Sequence, residues 1–552
     1  VPAIRNVAIV AHVDHGKTTL VDHLLAYAGA MEAVADDDAL VMDSNPLERE
    51  RGITILAKNC SLRWKGVKVN VIDTPGHADF GGQVERVLRM ADGICLLVDA
   101  FEGPLPQTRF VLRKALARGL RPIVVINKID RRDARPREVL DEVYGLFIEL
   151  GAQDHQLEFP VIYASGRQGR SGLTPEGGPD LAPLLDAILA HVPEPAADAA
   201  APLNLPVCHV DTDAYVGRIA VGRLEGGRIR EGDRVLRLFP DGTSTALAAG
   251  RVYVFEGLKR VEVPLVEAGD VVAVAGMEDV EIGHTLTDPE RPVPPQVLSI
   301  DPPTLSMEFR VNDSPFAGED GKYVTSRHVK ERLDRAAKAD VALEVLPTDR
   351  TDATEVRGRG VLHLGILVET MRREGFEFAV GRPRVLFREG PEGTLEPLEQ
   401  ATVEVPPDDV GKVIELFGRR RGELVHMSTH GDLAFLDIEV PARGLIGLRT
   451  RLMNATRGAA VLSHVFKGWA PHRGELPTRA TGSQVSSETG TVTAYALNAL
   501  VDRGPFFVEP TERVYEGQVV GEHRRDEDVL VNPCKRKHLT NIRAAGADEK
   551  MD

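Results

Sequence analysis

The sequence predicts a multidomain protein of mixed α/β and α+β class. Three observations point there. The chain has 552 residues, and at about 100–200 residues per domain that length implies roughly three to five domains. Its first part alternates short apolar runs with helical stretches, the pattern of a mostly parallel sheet covered on both faces. After a Pro/Ala-rich break come closely spaced β runs, and then mixed strands and helices.

In order, Val7–Val10 reads as the first strand. A Gly-containing loop then leads into a helix from Thr18 to Ala28, where Gly29 supplies a stop. Val67–Ile72, Gly93–Val98 and Pro122–Ile126 are further strands, with helices at Gly82–Met90 and Gln107–Arg118. The interval Ala30–Gly52 breaks this rhythm. It is polar, carries Asp36, Asp37 and Asp38, and has no period, so an irregular functional loop is expected. His191–Pro202, with Pro193, Pro195 and Pro202, reads as a linker. From there to Pro295, runs such as Gly217–Leu224 and Gly269–Gly276, with a turn at Gly226–Gly227, predict a β-barrel.

Ser299–Val385 reads as an α+β unit with helices near Ser326–Ala337 and Gly365–Arg373. A loop containing Gly390, Pro391 and Gly393 precedes a second unit, Glu399–Trp469. There Ala401–Val405 is expected as a strand and Asp409–Arg419 as a helix. The remainder to Asp552 has short β runs and a mixed-charge end.

Composition bounds the function. Lys+Arg 67 against Asp+Glu 83 gives a net charge of −16, which argues against coating nucleic acid by bulk charge. Local basic patches remain compatible with RNA binding. At 43% hydrophobic and 27% charged, the chain is too apolar for global disorder. Its apolar runs are far shorter than the roughly 20 residues of a membrane helix, so no membrane association is expected. The sequence begins at Val1, and no charged-then-apolar signal segment is read there. Cys60, Cys95, Cys208 and Cys534 form no C-x-x-C pair, so isolated structural thiols in a reducing compartment are expected.

The chemistry begins at Ala11-His-Val-Asp-His-Gly-Lys-Thr18, after the first strand and at the start of the first helix. That is the context of a phosphate-binding loop, though Ala11 stands where the general pattern has Gly. Backbone N–H groups of Asp14, His15, Gly16, Lys17, Thr18 and Thr19 can surround phosphate oxygens at the positive helix end. Lys17 would reach the β/γ-phosphates and Thr18 would present a hydroxyl to Mg²⁺. The side chains of His12 and His15 are assigned to loop structure, not to a metal.

In Asp73-Thr-Pro-Gly-His77, Asp73 can hold Mg²⁺ through water, and the N–H of Gly76 can approach the γ-phosphate. In Asn127-Lys-Ile-Asp130, the carboxylate of Asp130 matches the N1–H and N2 donors of guanine. Adenine lacks that pair and would leave a buried charge unmatched. Asn127 can brace the base site, and the Lys128 stem can pack along the nucleotide ring. Ser165 and Gly166 can close the pocket. A lone Asp-x-x-Gly or a lone charged loop would read as an ordinary turn. Their order at successive strand ends predicts a guanine-nucleotide-binding domain taking GTP and GDP.

Glu50-Arg-Gly-Ile-Thr-Ile55, with Asp14-His-Gly-Lys-Thr and Asp73-Thr-Pro-Gly-His77, resembles translational GTPases. That resemblance implies that Thr54 senses the γ-phosphate and binds Mg²⁺ from the first switch loop. It puts His77 where other GTPases place a water-orienting Gln, with Val13 and Ile53 as an apolar gate.

Longer stretches resemble one family, the BipA/TypA ribosome-associated GTPases. They include Val41-Met-Asp-Ser-Asn45, Asp99-Ala-Phe-Glu-Gly-Pro-Leu-Pro-Gln-Thr-Arg109, Ser314-Pro-Phe316, Met371-Arg-Arg-Glu-Gly-Phe376, Arg443-Gly-Leu-Ile-Gly447, Val514-Tyr-Glu-Gly517 and Leu539-Thr-Asn-Ile-Arg-Ala544. The resemblance implies five domains: a P-loop GTPase domain over residues 1–200, a β-barrel over 201–297, and a ferredoxin-like α+β domain over 298–388. A second ferredoxin-like domain resembling domain V of elongation factor G follows over 389–474, then a mostly β family-specific domain over 475–552. The chain departs from the family pattern at Val361, where Glu is usual, at Gly166, where Ala is usual, and at Pro533–Lys537.

The implied activity is ribosome-stimulated GTP hydrolysis in the cytoplasm on the 70S particle or large subunit, in translation regulation, stress response or ribosome assembly. Lys535, Arg536, Lys537 and Arg543 would contact ribosomal RNA near the factor-binding and tRNA acceptor sites, with tRNA a further partner. Off the ribosome a monomer is expected. An elongation-factor-like translocase and a non-ribosomal GTP switch are the alternatives. The first would need a long extra domain, for which the short step from Val385 to Ala401 leaves no room.

Overall fold

The structure is a computed structural model. It describes residues 3–12, 14–31, 46–51, 58–74, 81–213, 215–277, 279–295, 302–340, 342–391, 393–430, 433–476 and 481–536.

Seven strands form the first sheet: β1 (Ile4–Ala11), β2 (Lys58–Trp64), β3 (Val67–Asp73), β4 (Gly93–Asp99), β5 (Arg121–Asn127), β6 (Val161–Ser165) and β7 (Arg170–Gly172). Their order is β2-β3-β1-β4-β5-β6-β7. The five central strands are parallel, and the two edges are antiparallel. Strand alternation sends Val7, Ile9, Cys95 and Leu97 to one face, and Ala8, Val10, Ile94 and Leu96 to the other.

Six of the helices follow in chain order: α1 (Lys17–Tyr27), α2 (Pro46–Arg51), α3 (Gly81–Met90), α4 (Pro106–Ala117), α5 (Pro136–Glu149) and α6 (Ala182–His191). α1 and α6 cover the first face, while α3, α4 and α5 cover the second. The chain leaves β1 towards β3 on one side and reaches β4 on the other. This order reversal opens a crevice at the carboxyl end of β1, where ligands bind in open α/β sheets.

Two elements differ from the sequence expectation. α2 forms inside the interval expected to be irregular, opened by Pro46, whose fixed φ suits a first helical turn. β2 has no apolar run to announce it. Its order comes from a seven-residue antiparallel register with β3.

The second core closes inside antiparallel strands of two main sheets. Gly217–Arg223 and Val271–Val274 are central in one, and Arg234–Leu238 and Thr285–Thr287 in the other. Next comes a sheet centred on Leu305–Arg310, carrying α7 (Ser326–Ala339) and α8 (Val361–Arg373). The following sheet carries α9 (Val410–Gly418) and α10 (Leu448–Ala455). Its central strand, Gly393–Val405, is longer than the expected Ala401–Val405, because Leu433–Pro441 and Val461–Pro471 pair along both its edges.

The chain divides into two compact units, the second being 313–319, 419–421 and 473–552. In that unit Ser483–Ser486 pairs antiparallel with Val519–Glu522 and parallel with Val529–Val531. The Phe316 ring meets Tyr515 edge-on at 5.5 Å, and the Arg513 guanidinium covers Phe316 at 4.7 Å. Two motifs about 200 residues apart in sequence are thus in contact.

Cys60, Cys95 and Cys208 are buried free thiols. Burial pushes Cys95 up to about 12 and Cys208 up to about 11, which makes them inert packing groups. Among the described residues, no helix is long and apolar enough to cross a membrane.

The nucleotide-type sheet meets the barrel through a buried polar cluster. Lys68 Nζ lies 2.8 Å from Asp270 Oδ2, and Asn70 Nδ2 donates to Asp270 Oδ1 at 2.9 Å. Asn70 also donates to Asn6 Oδ1 at 2.8 Å, and Asn6 to the Gly269 carbonyl at 3.0 Å. Lys68 is 3% exposed, so removing its counterion strands a charge. Asp270→Ala should therefore destabilise the protein by ~3–5 kcal/mol in denaturant unfolding. A loss below ~1 kcal/mol would show that water reaches Lys68.

Candidate nucleotide site

The loop between β1 and α1 needs left-handed backbone at Asp14 (φ 63°) and Gly16 (φ 86°). Gly16 caps α1 without a side-chain hydrogen bond. The first turn of a helix leaves N–H groups without intrahelical acceptors, a natural anion cradle. Thr18 and Thr19 stand on that turn, half-buried.

Lys17 is 7% exposed and points across to the end of β3. Its Nζ lies 2.9 Å from Asp73 Oδ1 and donates to the Thr74 carbonyl. Thr74 Oγ1 in turn donates to the Ile9 carbonyl at 2.6 Å, fixing this corner to β1. A cation suited to phosphate and a carboxylate suited to a metal thus stand side by side. Hydroxyl and carboxylate oxygens are the hard donors Mg²⁺ takes. Among the described residues, no three His, Cys, Asp or Glu side chains converge on a metal site. Mg²⁺ is commonly held by one or two such protein oxygens together with phosphate and water, and the Thr18 hydroxyl and Asp73 carboxylate are donors of that kind.

Asn127 joins three loops. Its Nδ2 donates to the His15 carbonyl at 2.8 Å, and its Oδ1 accepts from the Gly166 N–H at 2.9 Å. A Cβ on Gly16 would stand 2.7 Å from Asn127 Nδ2. Ser165 is fully buried at the end of β6 and accepts weakly from the Gln168 N–H at 3.4 Å. Lys128, at φ 62°, extends so that its Cε lies 3.9 Å from the same Cβ position. Asp130 is exposed, free to meet a ligand.

The residue that sequence reasoning undervalued is Asp99. It stood there only as part of a family stretch. Its buried carboxylate accepts from Lys128 Nζ at 2.8 Å and from the Phe101 N–H at 2.7 Å. Burial works to raise this carboxyl, but Lys128 and the Phe101 N–H outweigh it and hold it below its ordinary value. A lone Asp closing an apolar strand was the available signal. His15 is buried beside it, accepting from the Asp99 N–H at 3.3 Å and facing Glu102 with Nε2 at 3.3 Å. These contacts agree with a loop-structure role for its ring.

The segments flanking the site rest on α8. Leu47 of α2 packs with Leu362 and Ile366, and Glu50 accepts from Arg373 at 2.9 Å. Arg86 of α3 lies 3.9 Å from Asp340, which accepts from His363 at 3.0 Å. Burial works to raise the Asp340 carboxyl, yet His363 and Arg86 hold it well below the carboxylate range.

Lys17, Asp73, Asn127, Lys128, Ser165 and Gly166 are therefore drawn together. Val13, Ile53, Thr54, Gly76 and His77 lie outside the described residues, as do Lys537 and Arg543. Lys535 and Arg536 are exposed, and Thr493 Oγ1 donates to the Lys535 carbonyl at 2.6 Å.

Gly16→Ala places a side chain on Asn127 and strains a left-handed backbone by ~1–3 kcal/mol. GDP affinity should fall ~10-fold or more, read by fluorescent-nucleotide titration. Unchanged affinity would remove Asn127 as the clamp of this loop.

Glu404 gives a pH prediction. Burial, then Glu102 and Asp99, push its carboxyl up from 4.5 to about 7. Ionising it costs the folded state more than the unfolded one, so stability falls between pH 4.5 and 7 and stays lower above. Glu404→Gln should raise the thermal midpoint at pH 8 by a few degrees, and leave it unchanged near pH 4.5. Equal shifts at both pH values would refute the ionisation account.

Comparison with known proteins places these features in one family. Residues 2–194 match the elongation factor Tu GTP binding domain, and 217–287 match elongation factor Tu domain 2. Residues 393–480 match the elongation factor G C-terminus, and 481–552 the TypA/BipA C-terminal domain. Two relatives are 49% identical over 99% of this chain: the large ribosomal subunit assembly factors BipA of Bacillus subtilis, 90% covered, and of Synechocystis, 92% covered. The protein of that name from Salmonella typhimurium is 47% identical over 99% of the chain, with 91% of its own length covered. A crystal structure from Thermus thermophilus shares the fold at 20% identity and a TM-score of 0.58, over 85% of this chain and 97% of that one. With a GTP binding domain at one end, the TypA/BipA C-terminal domain at the other and near-half identity between them, the chain belongs to the BipA/TypA family of GTPases.

Proposed function

We propose that the protein binds GTP at the carboxyl ends of β1, β3, β5 and β6, and hydrolyses it to GDP and phosphate when bound to the ribosome. The observation that carries this reading is the convergence of Lys17, Asp73, Asn127 and Lys128 in one crevice. N–H groups of residues 14–19 hold the phosphates, and Lys17 neutralises the β/γ oxygens. Asp130 accepts from the guanine edge, the Lys128 stem flanks the ring, and Ser165 and Gly166 close the pocket. Thr18, Thr54 and Asp73 would hold Mg²⁺, which would offset phosphate charge.

His77 aligns the attacking water, with Val13 and Ile53 gating its entry. The N–H of Gly76 meets the γ-phosphate. Because phosphoryl transfer needs mainly positioning and charge stabilisation, an imidazole in this place need not remove the proton itself.

The relatives are named large ribosomal subunit assembly factors. We carry that over as the biological role, in the cytoplasm, with contacts near the factor-binding and tRNA acceptor sites and through Lys535, Arg536, Lys537 and Arg543. The five-domain division at 200, 297, 388 and 474 belongs to the same reading, as does a monomeric state off the ribosome.

The test measures GTP turnover by the purified chain with and without large subunits or 70S particles. Ribosomes should raise turnover, and His77→Ala should cut the stimulated rate ~100-fold or more. GTP affinity should stay within about threefold, a change below ~0.7 kcal/mol. No stimulation of the native chain would overturn the ribosomal role. Parallel loss of GTP binding would overturn the part given to His77.

A further inference from the structure

A cavity of about 420 Å³ lies between the sheet that carries α8 and the sheet that carries α10. That volume is in the range of small-molecule sites. Most of its surface is apolar, from groups such as Leu305, Val361, Leu445, Ile446 and Leu462. Two guanidinium-bearing residues also line it. Arg359 is 6% exposed, and Arg449 is exposed at the mouth.

The backbone adds positive potential of its own. Arg359 and Gly360 lead into α8, thirteen residues long, and Gly447 leads into α10, eight residues long. Neither helix start has a side-chain cap, and Gly360, Val361, Gly447 and Arg449 all face the cavity. The first turn of α8 carries no acidic residue. The carboxylate in the wall, Glu399, is held 3.2 Å from His464 Nδ1.

The wall is also rigid. Arg443 forks onto the buried Glu396, with one bond at 3.0 Å, and so anchors the turn before α10. Thr304 Oγ1 donates to the Arg359 carbonyl at 2.6 Å, which fixes the turn before α8.

We propose that this cavity is a binding site for a small organic anion: a phosphate, carboxylate or sulfonate carried on an apolar or aromatic body of about mononucleotide size. The anionic group would sit at Arg359 and Arg449 between the two helix starts, and the body would fill the apolar part. Nothing in this site overlaps the guanine-nucleotide crevice. Its existence therefore does not rest on the proposed hydrolysis.

The probe is 8-anilinonaphthalene-1-sulfonate, titrated by fluorescence into the full chain saturated with GDP. Its uncharged counterpart, N-phenyl-1-naphthylamine, is the comparison. The native chain should prefer the sulfonate. Arg449→Glu should weaken the sulfonate ~10-fold or more, the scale of one lost charge-assisted contact, while sparing the neutral probe. Arg449→Lys should retain most of the affinity.

Gly365 lines the cavity, and a Cβ added there meets nothing within 4 Å. Gly365→Phe should therefore fill the space and abolish binding of both probes, with an unchanged circular dichroism spectrum and GDP affinity. Sulfonate binding that survives both Arg449→Glu and Gly365→Phe would overturn the site. Equal affinity for the two probes in the native chain would overturn its anionic character. Because GDP affinity is read in the same samples, a failure here is separable from a failure of the nucleotide reading.

Discussion

Asn127 ties two loops to its own with one side-chain amide, giving a hydrogen bond to the His15 carbonyl and taking one from the Gly166 N–H. The phosphate loop, the guanine motif and the Ser165 corner are thereby held at fixed separation. Each lies at the end of a different strand, and nothing in the chain's local preferences would bring them into register. An amide suits the task because it donates and accepts at once, and a carboxylate would only accept. The demand reaches back to Gly16, where the backbone is left-handed and the amide leaves no room for a Cβ. The residue expected to brace the base site is also the mechanical tie of the crevice.

Asp99 is the second level of the same construction. It holds Lys128 from below while capping the turn at Phe101, so the stem that would flank the nucleotide ring is preset. Behind it, His15 and Glu102 extend the polar packing towards Glu404 on a neighbouring sheet. Burial, with the Glu102 and Asp99 carboxylates adding to it, raises Glu404 to about 7.

The sheet is also tied to its surroundings where a nucleotide could be sensed. α8 touches α2 through an apolar contact and an exposed ion pair, and α3 through the buried Arg86–Asp340–His363 series. The second of these is the stiffer link, because breaking it would leave charge uncompensated away from water. The net charge of −16 is likewise distributed unevenly. Asp99 and Asp270 face cations inside the protein, while Lys535 and Arg536 are exposed.

The sequence by itself determined the alternation of strands and helices, the phosphate loop at the end of β1, and the identity and order of the nucleotide motifs. These rest on local causes: apolar period, glycine at left-handed positions, and residue types set by ligand chemistry. It could not show β2, whose residues lack an apolar run and are ordered by pairing with β3. Nor could it show the full length of Gly393–Val405, set by neighbours on both edges. The Lys68–Asp270 pair and the cavity beside Arg359 were equally silent. Each depends on groups far apart in the chain whose spacing carries no signal. Their roles arise only when folding removes them from water and sets which charge faces which, and the tertiary structure alone decides that.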